Sequence, residues 1–316
     1  MTEAETETVY DIAIVGGGPA GLSAALNLIR ARRSVLLIDS NRPRNSATLM
    51  SHGFLTRDGI SPLELRKLGR DEFLAYEGAE HRMTMVQSIT RGDDGFVLEC
   101  ELRRKTSRAV AKVVLVATGL QETLPDIEGL RAFYGTAFHS CIECDGYDKR
   151  DQALAVIGEE PDLAERALLL SQWSADLRVC TNGADSLTLL DEQALDARGF
   201  TVDRRVIAEI QGGREGVTGI RFEDGDVVAI EGGFVRPAWA SELGYLAPLD
   251  PAFDTDGLLV ADGHGRTSVD MLYVAGESTA PGPQQLIVAA GAGARTAATI
   301  NRDLVGGLHE LADAVQ

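Results

Sequence analysis

Two cysteines separated by two residues form the first group whose spacing could carry chemistry. They lie in the segment Cys141-Ile142-Glu143-Cys144-Asp145-Gly146. Cysteines at this spacing can close a small, easily reduced disulfide, and a neighbouring helix N-terminus or basic group can lower the pKa of one thiol. The pattern favours a redox-active dithiol, while half of a zinc site and a pair of inert buried thiols stay open as alternatives.

The remaining cysteines and the histidines argue against a zinc site. A zinc site would ordinarily need a second pair of ligands, but Cys100 and Cys180 stand alone on predicted strands and the five histidines show no paired spacing. We predict that Cys100 and Cys180 are core residues. Asp145 could carry a thiol proton as an acid or base, or could cap the following turn. The predicted catalytic residues are Cys141, Cys144 and Asp145.

A glycine-rich loop near the start of the chain is the second such group. Gly16, Gly18 and Gly21 match the pattern G-x-G-x-x-G between a short apolar run and a stretch with helical spacing. The first glycine permits a tight turn, the second lets a pyrophosphate approach, and the third lets helix and strand pack closely. The helix N-terminus offers unpaired N–H groups to phosphates. A merely glycine-rich turn is the alternative interpretation.

An acidic residue follows this loop at a distance that suits nucleotide binding. Asp39 ends the next predicted strand, 21 residues after Gly18. A carboxylate at that place can accept a hydrogen bond from a ribose hydroxyl, which suits FAD or NAD and disfavours a 2′-phosphate. We therefore predict a dinucleotide site that includes Gly16, Gly18, Pro19, Ala20, Gly21 and Asp39.

The elements that must position these groups form two βαβ openings. The first runs from a strand at Tyr10–Val15 through a helix at Ala20–Ala31 to a strand at Ser34–Asp39. The second begins at Ala153–Gly158 and continues into a helix at about Pro161–Trp173. Short apolar runs that adjoin glycines are typical of buried parallel strands. Both openings therefore predict parallel sheets.

Length supports two domains. The chain has 316 residues, more than a single core usually supports, and the two openings are well separated. A hairpin is predicted at Phe96–Leu102 and Val110–Val116 with residues 103–108 as its turn, and an Ala/Gly-rich helix at 284–304. The predicted fold class is α/β, with two Rossmann-like, three-layer ββα domains.

Composition excludes several partners. The chain carries 30 basic and 48 acidic side chains, a formal charge of −18, whereas nucleic acids and anionic membrane surfaces are held mainly by basic patches. Residues 1–8 lack the basic and apolar segments of a secretory signal, and no apolar run approaches the ~20 residues of a membrane span. We therefore expect a cytoplasmic protein that binds neither nucleic acid nor membrane.

The whole set of motifs resembles the low-molecular-weight thioredoxin reductase family. The resemblance rests on the glycine-rich opening, Val116–Gly119, the Cys-x-x-Cys-Asp-Gly motif before a second βαβ opening, and Ala275-Gly276-Glu277. It implies a homodimeric flavoprotein whose FAD domain is discontinuous, built from residues 1–119 and 247–316. An NAD(P)-type domain that carries the cysteine motif, residues 120–246, would be inserted between these two parts.

The resemblance also implies which residues hold FAD. Thr118 and Gly119 would line the crossover between the domains. Glu277 stands where the family usually has an Asp on a ribitol hydroxyl, and Gln285 would begin the helix whose positive end stabilises the anionic reduced flavin. The set expected at the cofactor adds Ser40, Asn45, His52, Ala117, Gly276, Gln284 and Leu286 to the residues already named.

The inserted domain departs from the family where NADPH should bind. The family's Gly-Gly-Gly-x-Ser-Ala-x-Glu loop corresponds to residues 158–165, in which Glu159 and Glu160 replace two glycines. A carboxylate about 4 Å from a phosphate is repelled by about 1 kcal/mol in water and ~4 kcal/mol near a protein surface. The His-Arg-Arg cluster that grips the 2′-phosphate is absent from the sequence after Leu177–Cys180. We predict a domain that keeps its fold but has lost ordinary NADPH affinity, which leaves NADPH doubtful as a cofactor.

The function predicted from these features is an FAD-dependent dithiol–disulfide oxidoreductase. Its partner would be a thioredoxin-like protein or a small dithiol or disulfide. An oxygen-using oxidase of small dithiols, a ferredoxin-linked reductase and a flavin redox sensor stay open as alternatives. Residues 42–45 and 50–54 resemble the gliotoxin and holomycin dithiol oxidases, although those tend to carry His where this chain has Asp145. His52 would lie near the flavin or substrate, or serve as a structural histidine.

Overall fold

A computed structural model describes residues 8–279 and 282–306 of the chain. Residues 1–7 and 307–316 lie outside this described part. They include most of the segment predicted to lack a secretory signal and the outer ends of the two predicted FAD segments. The helices are α1 (Pro19–Arg30), α2 (Pro62–Leu74), α3 (Leu130–Phe133), α4 (Ile142–Asp145), α5 (Leu163–Leu170), α6 (Leu189–Asp196) and α7 (Leu286–Val305). The strands are β1 (Val9–Val15), β2 (Val35–Asp39), β3 (Ala79–Met83), β4 (Met85–Gly92), β5 (Gly95–Leu102), β6 (Lys105–Val116), β7 (Gln121–Thr123), β8 (Phe138–His139), β9 (Leu154–Ile157), β10 (Leu177–Cys180), β11 (Thr201–Asp203), β12 (Ile207–Gly213), β13 (Gly216–Phe222), β14 (Val227–Ala229), β15 (Gly232–Val235), β16 (Ala238–Ala240) and β17 (Leu272–Val274).

The first sheet draws strands from both ends of the chain. Its order is β3-β2-β1-β6-β5-β4, and β17 pairs in parallel with the second half of β6. Ile14 is fully buried between Leu37 and Leu115 on the neighbouring parallel strands. One face packs against α1 and α7, and on the other face side chains of β1, β2, β4, β5 and β6 form a cluster with Leu246. The central strands β1 and β2 are mostly apolar and buried, which is typical of parallel strands that are covered on both faces.

The second sheet is wholly parallel, with the order β11-β10-β9-β15-β8. Its strands come from residues between those of the first sheet, and α5 and α6 cover one face. A separate antiparallel sheet, β12-β13-β14, packs on the other face through Ile210, Ile220 and Phe222. The predicted α/β class with two Rossmann-like domains is confirmed.

A two-stranded antiparallel ribbon joins the two sheets. The chain leaves the first sheet through β7 and returns through β16, with Gln121 opposite Ala240 and Thr123 opposite Ala238. Leu243 and Leu246, which follow the ribbon, are buried in the core of the first sheet. The two segments in which the chain passes between the sheets are therefore paired with each other.

Two local predictions were wrong, and one helix was not predicted. The hairpin turn is only Arg103-Arg104, and both residues have positive φ angles of 49° and 66°. Because a two-residue turn with positive φ matches the strand twist, β6 begins at Lys105 instead of after a six-residue turn. Helix α5 is shorter than predicted at both ends, and α2 lies in a region where no helix was predicted. No helix among the described residues is long and apolar enough to cross a membrane.

Candidate active site

A cleft opens at the carboxyl ends of β1, β2, β6 and β17, where parallel α/β sheets commonly bind ligands. Most residues predicted to bind the cofactor line this cleft, although they are scattered over the whole chain. Gly21 and His52 are not among its described lining residues. The predicted residues that line it are Gly16, Gly18, Pro19, Ala20, Asp39, Ser40, Asn45, Ala117, Thr118, Gly119, Gly276, Glu277, Gln284, Gln285 and Leu286.

The three motif glycines have different surroundings. Gly16 has a φ of +115°, and a Cβ atom there would lie 2.2 Å from the Ala117 carbonyl oxygen. A Cβ atom on Gly21 would lie 1.9 Å from the Gly16 carbonyl oxygen. At Gly18 a Cβ atom would meet no described atom within 4 Å. Two glycines are thus required by packing, whereas Gly18 faces space that a diphosphate can enter.

Asp39 lies in the cleft with an arginine that sequence reasoning missed. Arg66 Nη2 lies 2.5 Å from Asp39 Oδ2, and Arg66 Nε donates to the Gly17 carbonyl oxygen at 3.2 Å. The Arg66 side chain is only 8% exposed. It therefore fixes Asp39 against the glycine loop, and Asp39 Oδ1 accepts from the Asn41 N–H. Arg66 comes from α2, which had no motif to reveal it.

A second missed arginine connects distant segments across the cleft. Arg44 Nη2 lies 2.7 Å from Glu277 Oε1, and Arg44 Nη1 lies 3.4 Å from Gln284 Oε1. Arg44 belongs to the loop after β2, whereas Glu277 and Gln284 precede α7. This contact brings the two predicted cofactor residues together and partly occupies the Glu277 carboxylate.

The crossover at Thr118 and Gly119 is held by two further missed residues. The buried Ser278 hydroxyl accepts from the Gly119 N–H at 2.8 Å and lies 3.3 Å from Thr118 Oγ1. Tyr245 Oη lies 3.4 Å from Thr118 Oγ1, and burial raises the pKa of Tyr245. The cleft thus combines an open glycine loop, a helix that begins at Leu286 and fixed polar groups. The residues present fit FAD.

The cysteine motif lies just after β8. Cys141 and Cys144 form a disulfide with Cα atoms 5.3 Å apart, and the Cys144 N–H donates to Cys141 Sγ at 3.2 Å. Neither cysteine is among the described residues that line the cleft.

Asp145 is buried beside a histidine that sequence reasoning did not single out. His139 Nδ1 lies 3.2 Å from Asp145 Oδ1, at ion-pair distance without the direction of a hydrogen bond. His139 Nε2 lies 3.1 Å from the Thr136 carbonyl oxygen, which also accepts from Lys149 Nζ at 2.8 Å. A ring nitrogen beside a carbonyl oxygen must carry its proton there. His139 Nδ1 therefore faces the Asp145 carboxylate, and the two side chains form a buried polar pair beside the disulfide.

The loop predicted to have lost NADPH binding presents carboxylates and makes side-chain contacts. A Cβ atom on Gly158 would lie 3.2 Å from the Arg236 Cβ. Arg236 Nε donates to Asp162 Oδ2 at 2.8 Å, and Glu159 Oε1 accepts from Asn182 at 2.7 Å. Glu159 and Glu160 are exposed, where carboxylates would repel a pyrophosphate. The residues present do not fit an ordinary NADPH site.

The remaining cysteines have inert surroundings. Cys100 and Cys180 are buried, and burial raises their pKa values to about 11 and about 12. Both thiols stay protonated at neutral pH, which confirms that they are core residues. Within the described part of the chain, no group of three or more His, Cys, Asp or Glu side chains could hold a metal ion.

Known proteins similar to this chain include disulfide oxidoreductases. Residues 10–159 match the pyridine nucleotide-disulphide oxidoreductase family. The thioredoxin reductase tcpT of Claviceps purpurea is 31% identical over 237 residues, which cover 71% of this chain and 72% of that protein. A relative from Arthroderma benhamiae is 32% identical over 180 residues, 56% of this chain and 44% of that protein.

A solved structure extends the match to nearly the whole chain. The TrxB protein of Bacillus anthracis superposes with a TM-score of 0.87 at 36% identity, covering 94% of this chain and 98% of that protein. Fold, cysteine motif and relatives therefore agree. The chain belongs to the low-molecular-weight thioredoxin reductase family of flavin-dependent pyridine nucleotide-disulphide oxidoreductases.

Proposed function

We propose that the protein is an FAD-dependent dithiol–disulfide oxidoreductase that takes electrons from a dithiol and does not depend on ordinary NADPH binding. The observation that carries this proposal is the pairing of a Cys141–Cys144 disulfide with a nucleotide loop that presents the carboxylates of Glu159 and Glu160. A thioredoxin-like protein or a small dithiol would be the partner. FAD, held by the cleft residues, would supply the site that accepts or returns the electron pair.

The residues of the chain perform the exchange in two displacements. A substrate thiolate attacks one sulfur of the disulfide, forms a mixed disulfide and releases the other cysteine as a thiolate. That thiolate can take a proton from the His139–Asp145 pair. The second substrate thiol then breaks the mixed disulfide, so the substrate leaves as a disulfide and both cysteines are reduced.

The cysteine motif must meet both the substrate and the cleft in turn. Because neither cysteine lines the cleft within the described residues, we propose that the inserted domain moves on the β7–β16 ribbon. Two enzyme copies would form the homodimer that the family resemblance implies. Boundaries near 119/120 and 246/247, close to this ribbon, remain our proposed domain limits.

Anaerobic titration of the FAD-loaded protein with dithiothreitol tests the proposal. We expect the long-wavelength band of the oxidised flavin to bleach, and the Cys144→Ser variant to keep FAD without bleaching. Millimolar NADPH should bleach the band slowly or not at all. Bleaching by NADPH within milliseconds would contradict the loss of the nucleotide site, and failure of both reductants on the intact protein would contradict the function.

A further inference from the structure

A partly buried arginine without an acidic partner lies directly behind the cysteine motif. Arg166, on α5, donates through Nη2 to the Ser140 carbonyl oxygen at 2.8 Å, and the Val235 carbonyl oxygen lies 3.5 Å from the same atom. Its Nε is buried and has no hydrogen-bond partner among the described residues. Ser140 immediately precedes Cys141, so the positive charge is fixed at the start of the disulfide loop.

The carboxylates around Arg166 compensate its charge only from a distance. Within the described residues, Arg166 forms no ion pair, although the chain carries a large excess of acidic side chains. The nearby Asp162 is already bound by Arg236 Nε at 2.8 Å, and Glu143 is exposed to solvent. Tyr134 faces the same region, but burial raises its pKa and keeps it neutral. Burial likewise lowers the pKa of Arg166, yet a guanidinium keeps its proton.

A partly buried guanidinium that forms no ion pair of its own can stabilise an anion that appears beside it. The disulfide provides one when it opens. A substrate dithiol supplies two electrons and two protons; one proton goes to a cysteine and the other leaves to solvent. The pair is then one thiol and one thiolate, and a negative charge has appeared in the loop that Arg166 holds.

We propose that Arg166 is the counter-charge of the reduced Cys141–Cys144 pair and raises its thiolate fraction at neutral pH. The inference rests on the proposed function, because it assigns the anion to a redox-active dithiol. A nearby cation favours the thiolate over the thiol and commonly lowers the thiol pKa by one or more units. Arg166 is therefore a positioning residue for the electrostatics of the exchange, and it acts without contacting the substrate.

Alkylation of the chemically reduced holoprotein by iodoacetamide, followed across pH, tests this proposal. In Arg166→Gln we expect the pH profile to move up by about one unit and alkylation near neutrality to fall roughly tenfold, with the high-pH plateau unchanged. Arg178→Gln is the matched control, because Arg178 lies in the same domain but is paired with Asp203. The Arg178 profile should match that of the natural protein.

Two outcomes would overturn the assignment. One is a folded, FAD-loaded Arg166→Gln protein whose profile equals that of the natural protein. If that variant does not fold, Arg166→Lys decides, because lysine keeps the charge and loses the forked hydrogen bonds: a natural profile supports the counter-charge and a shifted profile contradicts it. Since alkylation does not require flavin reduction, these outcomes stay distinguishable from failure of the proposed function.

Discussion

The buried pair of Asp145 and His139 would give the cysteine motif a local proton source under the proposed function. Asp145 follows Cys144 directly and is only 8% exposed, so a proton exchanged with the thiol would not need to come from bulk water. Lys149 Nζ shares the Thr136 carbonyl oxygen with His139 Nε2 and adds a positive charge on the same side. Partial burial lowers the pKa of Lys149.

Replacing Asp145 tests this role. We expect Asp145→Asn to slow flavin reduction by dithiothreitol about 100-fold, because a positioned acid or base typically contributes at least that factor. His139→Gln should slow it by less, because Asp145 would keep its carboxylate and lose only the ring that lies 3.2 Å from it. Stopped-flow absorbance measures both rates. Asp151→Asn, an exposed site nearby, is the control, and full activity of Asp145→Asn would remove Asp145 from the mechanism.

Among single residues, those that belong to motifs could be predicted from the sequence. Residues that hold the motif residues in place through tertiary contacts could not. Gly16, Asp39 and Glu277 could be placed at one cleft because their spacing or resemblance marked them. Arg44 and Arg66 could not, since a lone arginine in a loop or on an amphipathic helix looks like any other surface charge. Their role depends on tertiary contacts with Asp39 and Glu277, which no local pattern records.

Elements were predictable where a period or a motif was strong. The apolar runs of β1 and β2 and the Ala/Gly-rich α7 were predicted nearly at their observed bounds. The β5–β6 turn was predicted wrongly because Arg103-Arg104 contains neither Asn nor Gly, the residues that usually indicate positive φ angles. Helix α2 was not predicted because most of its residues are polar, although Arg66 and Phe73 are buried. Weak local signals, and not the global fold, account for these errors.

The turn between β1 and α1 gives a paired test of the FAD site. Gly21→Ala should destabilise the whole protein, because its Cβ would lie 1.9 Å from the Gly16 carbonyl oxygen. Gly18→Ala should leave the melting temperature of the apoprotein within a few degrees of the natural value. Its FAD affinity should nevertheless fall at least tenfold, because the added methyl group faces the space that a diphosphate would enter.

Thermal melts of the apoprotein and fluorescence titration with FAD measure these two effects separately. A Gly18→Ala protein that binds FAD normally would show that the diphosphate does not lie at this loop. A Gly21→Ala protein as stable as the natural one would mean that α1 can shift away from β1 at little cost. Either result would require a different account of the cleft.

For the whole molecule, the position of the inserted domain relative to the cleft is the central question. Gly135 of that domain lies against the loop after β2, where an added Cβ would be 2.1 Å from the Ala47 carbonyl oxygen. His52 Nε2 lies 2.9 Å from Asp148 Oδ2, just beyond the cysteine motif, and His52 Nδ1 lies 3.5 Å from Asp58. His52 therefore lies at the contact between the domains of the two sheets.

This contact predicts that His52 helps to hold the inserted domain against the first. The imidazole Nε2 lies 2.9 Å from Asp148 Oδ2, and a shorter apolar side chain could not make this contact. In His52→Ala we expect hydrogen–deuterium exchange in residues 48–58 and 146–149 to be up to about fivefold faster, matching the ~0.2–1 kcal/mol of an exposed polar pair.

A second variant separates this contact from a general effect of substitution. Asp58→Asn, which changes the longer 3.5 Å contact, should have a smaller effect than His52→Ala when both are measured at one pH. Equal exchange of His52→Ala and the natural protein would assign His52 a local structural role. Faster exchange confined to these two segments would mean that the contact holds the cysteine motif in this arrangement and slows its movement between substrate and cleft.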